Sequence, residues 1–346
     1  MIDLSRFLYS PAIRTRRAEL VGLSKLEDAF AAGLLPLFEL TRSRRTKSNP
    51  AGSVEASIVE LLSIVDSNPF VADVTSLASL SNSEVEKLLD PTQDFENWRD
   101  FVAANLPETA IPVVHITEPY DGASVSKQAE SFLERHDCIA VRVPSEFENV
   151  EDLFRTLEED FRTLERVLVY ADVAMVTERG LAGALARTSE IAALVEGLHP
   201  GLFVSLASSF PSTVTPFGDQ SGTFRLHEVA ISEYLKEEFE EMRCLHGDYA
   251  CIHPRDMEGI AINWVPRVDV PLADSLYYHR FRRQDGGYVR AAEAALSSPS
   301  YEPLNCWADE NIRLAAAGNP AGRAPAFWIS VRLNFHLERQ LVRLGA

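Results

Sequence analysis

Six side chains capable of acid–base or ionic chemistry stand at matching points of six short apolar runs: Glu39, Asp73, His115, Arg142, Asp172 and Asp248. Each one closes or nearly closes its run. The runs are Leu35-Pro36-Leu37-Phe38-Glu39, Phe70-Val71-Ala72-Asp73, Ile111-Pro112-Val113-Val114-His115, Cys138-Ile139-Ala140-Val141-Arg142, Val167-Leu168-Val169-Tyr170-Ala171-Asp172 and Cys244-Leu245-His246-Gly247-Asp248. Side chains alternate along a strand, so Leu37 shares a face with Glu39, Val71 with Asp73, Val113 with His115 and Ala140 with Arg142. The same arithmetic groups Tyr170 with Asp172 and His246 with Asp248. If these faces point into one cavity, four carboxylates, a guanidinium and an imidazole meet there. That inventory suits general acid–base catalysis or a divalent metal. Glu39, Asp73, Asp172 and Asp248 are the expected catalytic residues, with His115 and Arg142 as ligand contacts. A metal would draw on the same carboxylates, with His115 or His246 as nitrogen ligand.

The competing reading is structural. Carboxylates and arginines inside a barrel can simply neutralise one another at their burial cost. Charge repeated on six strands is hard to justify by packing alone, which favours use of the set. On that view Asp172→Ala and Asp248→Ala abolish activity or binding while the melting temperature stays nearly unchanged. A seventh run, Leu202-Phe203-Val204-Ser205-Leu206-Ala207-Ser208, is followed by Ser209-Phe210-Pro211. Ser208 and Ser209 therefore bring hydroxyls to the same end, either for a ligand or to cap the following turn. HExxH, CxxC and GxSxG patterns are all absent, so the usual zinc sites and a nucleophile elbow are unsupported. His136 and His199 fall at expected helix ends, and His336 on the last expected helix reads as a surface or packing residue.

The elements that must position these groups follow from the spacing. Continuous apolar runs separated by helical stretches are what a parallel sheet covered by helices requires. The unit recurs about every 30–40 residues, the repeat of a (β/α)8 barrel with its working groups at the strand C-terminal mouth. Helices are expected over 54–65, 83–89, 95–105, 124–136, 150–165, 181–198, 231–242, 288–296 and 332–344. Leu20, Leu23, Leu26, Phe30 and Leu34 recur at helical spacing and predict an earlier helix through residue 34. After Pro254 the beat changes, and 261–268 with 275–283 read as a hairpin, one strand of which would close the barrel. An open doubly wound sheet is disfavoured because the segment after Glu39 has no glycine until Gly52. The expected architecture is one TIM-like barrel domain over 1–346 with a C-terminal hairpin/helix extension, its barrel core at about 7–300 and the C-terminal extension at 301–346.

With 346 residues and a net charge of −18, the chain is not suited to nonspecific contact with nucleic acid or an anionic membrane. Its basic residues cluster early, at Arg14, Arg16, Arg17, Arg42, Arg44, Arg45 and Lys47, which is a local hint of an anion site. No apolar stretch approaches the roughly 18 residues of a membrane span. The four cysteines, Cys138, Cys244, Cys251 and Cys306, show no metal-type pair and read as reduced thiols of a cytoplasmic protein.

Several segments resemble the family of beta proteins, known from T-even-type phages and many bacteria. They are Tyr9-Ser10-Pro11-Ala12-Ile13-Arg14-Thr15-Arg16-Arg17-Ala18-Glu19, Pro36-Leu37-Phe38-Glu39-Leu40, Ser209-Phe210-Pro211, Gly247-Asp248-Tyr249-Ala250, Cys306-Trp307 and Asn334-Phe335-His336. The chain departs at Phe335, where the resemblance leads one to expect a second histidine. The resemblance carries no assigned biochemistry, but the company of phages and mobile elements implies a role in phage–host conflict. It adds Arg14, Arg16 and Glu19 to the candidates, since a strand at 9–14 would lie at or near the barrel, and Tyr249 of the Gly247–Ala250 segment joins the expected ligand contacts. Arg14 and Arg16 would then share a face and could clamp a phosphate. The resulting expectation is a small polar or phosphate-bearing ligand handled by hydrolase or lyase chemistry. The alternative is a non-catalytic module that binds a protein partner.

Overall fold

Runs buried on both faces can satisfy their backbone groups only in the middle of a sheet, and the computed structural model shows that outcome. It describes residues 1–256 and 264–345. Eight strands form one parallel sheet in sequence order: β1 (Ala12–Arg14), β2 (Leu37–Leu40), β3 (Phe70–Val74), β4 (Ala110–Val114), β5 (Ile139–Pro144), β6 (Val167–Met175), β7 (Leu202–Ser208) and, as the last neighbour, Cys244–Asp248. A short strand, β8 (Ser221–Arg225), intervenes in the chain, so Cys244–Asp248 is β9. Tyr9 bridges in parallel to both Leu34 and His246, which joins the first edge to the last. The sheet is thus a (β/α)8 barrel of the TIM type.

The helices α1 (Arg17–Leu23), α2 (Val54–Val65), α3 (Ser83–Leu88), α4 (Thr92–Asn105), α5 (Gly122–Leu133), α6 (Val150–Phe161), α7 (Leu181–Glu196) and α8 (His227–Glu238) alternate with the strands. After β9 come a hairpin, β10 (Arg267–Pro271) and β11 (Ser275–Arg280), then α9 (Gly287–Leu296), α10 (Trp307–Ala316) and α11 (Pro325–Leu344). The last helix returns to the barrel. Gly22 in α1 permits this close approach, because a Cβ there would meet the Ser330 carbonyl oxygen at 2.6 Å. Ser330 Oγ donates to the Ala18 carbonyl at 2.6 Å, and Asn334 Nδ2 to that of Gly22 at 3.2 Å. On the other side Arg343 lies 3.5 Å from Glu233 of α8. Thus α11 spans the gap between α8 and α1.

Two faces give two cores. Ala12, Leu37, Val71, Val113, Ala140, Tyr170, Leu206, Leu245 and Tyr249 fill the barrel interior. Ile13, Phe38, Ala72, Val114, Val141, Ala171, Phe203 and Ala207 face the helices. The alternation is period two throughout, so the interior residue two places further along each strand arrives at the C-terminal mouth.

Three expectations are corrected. The hairpin does not close the barrel: β10 and β11 pair antiparallel, with β8 on the far side of β11, in a separate three-stranded sheet. Closure belongs to the segment at Tyr9, which can run parallel to both neighbours. The expected start of the hairpin at 261–263 lies outside the described residues. The first helix stops at Leu23, because Asp28 and Gly33 adopt positive φ and Leu34 is drawn into the bridge with Tyr9. Helix α11 begins seven residues before the expected 332, with Pro325 in its first turn, where a missing N–H costs nothing.

Candidate functional site

The interior parity of five strands brings Arg14, Glu39, Asp73, Arg142 and Asp172 to one mouth, with His115 just beyond β4. Arg142 is the hub. Its Nη2 lies 2.9 Å from Glu39 Oε1, its Nη1 2.8 Å from Asp73 Oδ2 and its Nε 2.9 Å from Asp172 Oδ2. Its Nη2 also donates to the Tyr249 hydroxyl at 2.8 Å, and that hydroxyl donates to Asp172 Oδ2 at 2.7 Å. Arg14 Nε lies 3.2 Å from Glu39 Oε2, while Arg14 Nη2 donates to the carbonyls of His253 and Pro254. Glu19 accepts from the Arg14 backbone N–H at 2.9 Å, which fixes the end of β1.

Local backbone features aim these groups. A bulge interrupts β6 between Asp172 and Ala174, and the Ala174 N–H donates to Asp172 Oδ1 at 2.8 Å. Bulges next to active sites commonly re-aim a side chain in this way. Asp73 Oδ1 accepts from the Val74 N–H at 2.7 Å. Burial alone would raise the Asp73 carboxyl, but His115 and Arg142 outweigh it and hold it at about 2. Burial disfavours the charged Arg142 guanidinium, yet Tyr249 and the three carboxylates raise it well above its ordinary value. Both ends of this ion set stay charged near neutrality.

His115 is held differently. Its ring stacks on Trp98 at 5.1 Å and 9°, with Phe95 edge-on at 5.3 Å. The Gln128 amide grips its backbone at both ends, accepting from the His115 N–H at 3.0 Å and donating to its carbonyl at 2.9 Å. His115 Nε2 comes within 3.3 Å of Asp73 Oδ1, but neither ring nitrogen has a hydrogen bond of good geometry, and the side chain is only 7% exposed. A buried polar group without a partner calls for an explanation, and a bound ligand is one.

Other expected residues lie elsewhere. Asp248 does not join the mouth, because on β9 it is Leu245, Gly247 and Tyr249 that face inward. Gly247 has no room for a side chain there, since a Cβ would sit 2.6 Å from Val204 Cγ1. Asp248 and His246 therefore project behind the barrel wall, and Tyr249 takes the mouth position. Arg16 lies past the end of β1, exposed before α1, and does not share a strand face with Arg14. Ser208 Oγ accepts from the Phe210 N–H and donates to the Ile252 carbonyl, and Ser209 Oγ accepts from the His227 N–H at the start of α8. Both serines thus perform the capping alternative. Among the described residues no three His, Cys, Asp or Glu side chains are grouped to hold a metal. Arg142 supplies the positive charge between Glu39, Asp73 and Asp172 that a cation would supply. The expectation that Asp172→Ala and Asp248→Ala leave melting unchanged is revised as well, since both carboxylates accept several buried hydrogen bonds.

Behind β9 lies a second polar cluster. Asp248 Oδ1 accepts from the Tyr9 hydroxyl and the Ala250 N–H, both at 2.7 Å. Asp248 Oδ2 lies 2.6 Å from His336 Nε2 and 3.3 Å from His246 Nε2. The other nitrogen of His336, Nδ1, is 3.1 Å from Cys251 Sγ. His336 and Cys251 were not among the expected site residues. Eighty-five positions separate them, so no local spacing could have joined them.

The family's sequence model, described as Beta protein, matches residues 9–342. The chain belongs to the Beta protein family. Protein beta of Enterobacteria phage P4 is 30% identical over 343 residues, which is 98% of this chain and 94% of that protein. The phage relative is thus from P4, and the T-even attribution carried by the resemblance is corrected accordingly. The matched span in this family member includes both the Arg142 mouth and the Asp248 cluster. Among the described residues no helix is long and apolar enough to cross a membrane.

Proposed function

We propose that the barrel mouth binds a small polar ligand and performs acid–base chemistry on it, of the hydrolase or lyase class, with His115 as the proton carrier. The supporting observation is the His115 ring, stacked on Trp98 with its backbone gripped by Gln128, yet without a well-formed hydrogen bond at either nitrogen. Asp73 beside it would stabilise the imidazolium as the ring takes a proton. Tyr249 and Arg142, fixed by Asp172 and Glu39, would orient the ligand without reorganising. Two guanidinium groups stand against three carboxylates here, so a phosphate would enter against a surplus of negative charge. The relation to a phage-encoded protein supports a role in phage–host conflict.

Thermal-shift titration of the full-length protein with inorganic phosphate, nucleotides, amines and sugars tests this reading. A ligand that raises the melting temperature of the native protein should bind about tenfold more weakly to His115→Gln, the usual order for losing one positioned acid–base group. Indifference to every class, or equal binding by the variant, would remove the case for the mouth. A non-catalytic interaction module is the second reading, favoured by the pairing of every mouth carboxylate with a guanidinium or imidazole.

A further inference from the structure

The cluster behind β9 orders a thiol, an imidazole and a carboxylate in line. Cys251 Sγ is 3.1 Å from His336 Nδ1, and His336 Nε2 is 2.6 Å from Asp248 Oδ2. The carboxylate fixes the tautomer: Nε2 carries the proton toward Asp248, leaving Nδ1 to accept from the thiol. Burial would raise the Asp248 carboxyl, but His336 and His246 hold it well below its usual range, and it also accepts from the Tyr9 hydroxyl and the Ala250 N–H. Cys251 and Ala250 both hold positive φ, at 57° and 48°, which presents the thiol to α11 directly after the strand. Two further buried polar atoms in this compartment, His246 Nδ1 and Glu228 Oε2, have no hydrogen-bond partner.

Access decides the substrate class. Cys251 is 3% exposed and packs among Phe210, Val214, Phe224 and Leu276, so a bulky acyl donor does not reach it. Only an electrophile of about water's size and polarity suits a thiol so enclosed. We propose that Cys251 is a peroxide-reactive thiol, with His336 as its base and Asp248 as the group that orients His336. Burial and the Asp248 charge push the Cys251 thiol up, so its proton stays on sulfur at rest. As attack begins, His336 Nδ1 takes that proton and the sulfur forms a bond to one peroxide oxygen. The O–O bond breaks, and the departing hydroxide takes the proton from His336 and leaves as water. Cys251 is oxidised by two electrons to the sulfenic acid, and the peroxide is reduced. This inference stands apart from the reading of the mouth.

The test treats the full-length protein with hydrogen peroxide, traps sulfenic acid with dimedone and maps the labelled peptides. Cys138 and Cys244 are also buried, at 4% and 8% exposure, but have no imidazole hydrogen-bonded to sulfur, and serve as internal controls. With His336 as its base, Cys251 should be trapped about tenfold faster than Cys138, Cys244 or Cys306, and His336→Gln should remove that advantage while leaving the other rates unchanged. Equal rates in the native protein overturn the proposal whatever the variant does. A His336→Gln protein whose Cys251 reacts at the native rate overturns it as well.

Discussion

On the inner face of β9 a guanidinium is surrounded by three carboxylates; on its outer face a carboxylate is surrounded by a tyrosine, an amide and two imidazoles. The inner cluster keeps side-chain exposures of 6–14%, whereas Asp248, His246 and His336 are at 0–1%. One register position separates them, Tyr249 from Asp248. The difference teaches that charge on a barrel strand takes its role from the face it lands on. At the mouth a ligand can compete for ion-pair partners. Behind the wall the polar groups must satisfy one another or act on something very small.

The largest expected effect comes from deleting the two hubs. Arg142→Leu leaves three carboxylates facing one another and should cost about 3–5 kcal/mol in urea unfolding. Asp248→Asn keeps the shape but loses the charge that orients His336, and should cost about 1–3 kcal/mol. If Arg142→Leu lost less than about 1 kcal/mol, the mouth would not depend on its ion pairs and the contrast would fail.

The pH dependence of stability separates the clusters next. Asp73 is held at about 2 against its usual 3.8, so its contribution is present above pH 3.8 and is lost as pH falls toward 2. Burial holds His246 down to about 4 from 6.5, so its contribution is lost earlier, as pH falls from 6.5 to 4. Burial pushes Glu228 up to about 8 from 4.5, so its contribution is present below pH 4.5 and is lost as pH rises to 8. The two outer groups oppose each other between 4.5 and 6.5. His246→Gln should therefore steepen the loss of stability with rising pH, and Glu228→Gln should flatten it, each by up to about 1.4 kcal/mol per pH unit. Parallel profiles for both variants and the native protein would contradict this assignment.

The smallest effect sharpens the comparison most. Tyr9→Phe and Tyr249→Phe each delete one buried hydroxyl and should each cost about 0.5–1.5 kcal/mol. Only Tyr249→Phe should also weaken binding of a mouth ligand, read in the same thermal-shift titration. Equal effects of the two on binding would erase the distinction between the faces.

Much of the mouth was legible before any coordinates. In β2, β3, β5 and β6 the polar residue follows an apolar neighbour two places back, and both faces of each strand are filled, so parity is unambiguous at Glu39, Asp73, Arg142 and Asp172. On β9 the inward position before the end is Gly247, which has no side chain to reveal parity, and the reading settled on His246 and Asp248. Closure is hidden for a different reason: the ring closes through single bridges at Tyr9, with no run of paired residues on that side, so the longer hairpin segments look the better candidates. Arg16 was placed on the first strand by counting, although β1 ends at Arg14.

Composition and period-two patterning alone determined the barrel class and the end of it at which charge collects, because local burial on two faces is written into each run. Which carboxylates share one guanidinium, and which aspartate turns away to meet a histidine 88 residues later, only the closed sheet and the returning C-terminal helix decided. Contacts between distant segments depend on how the ring closes, and no local pattern carries that information.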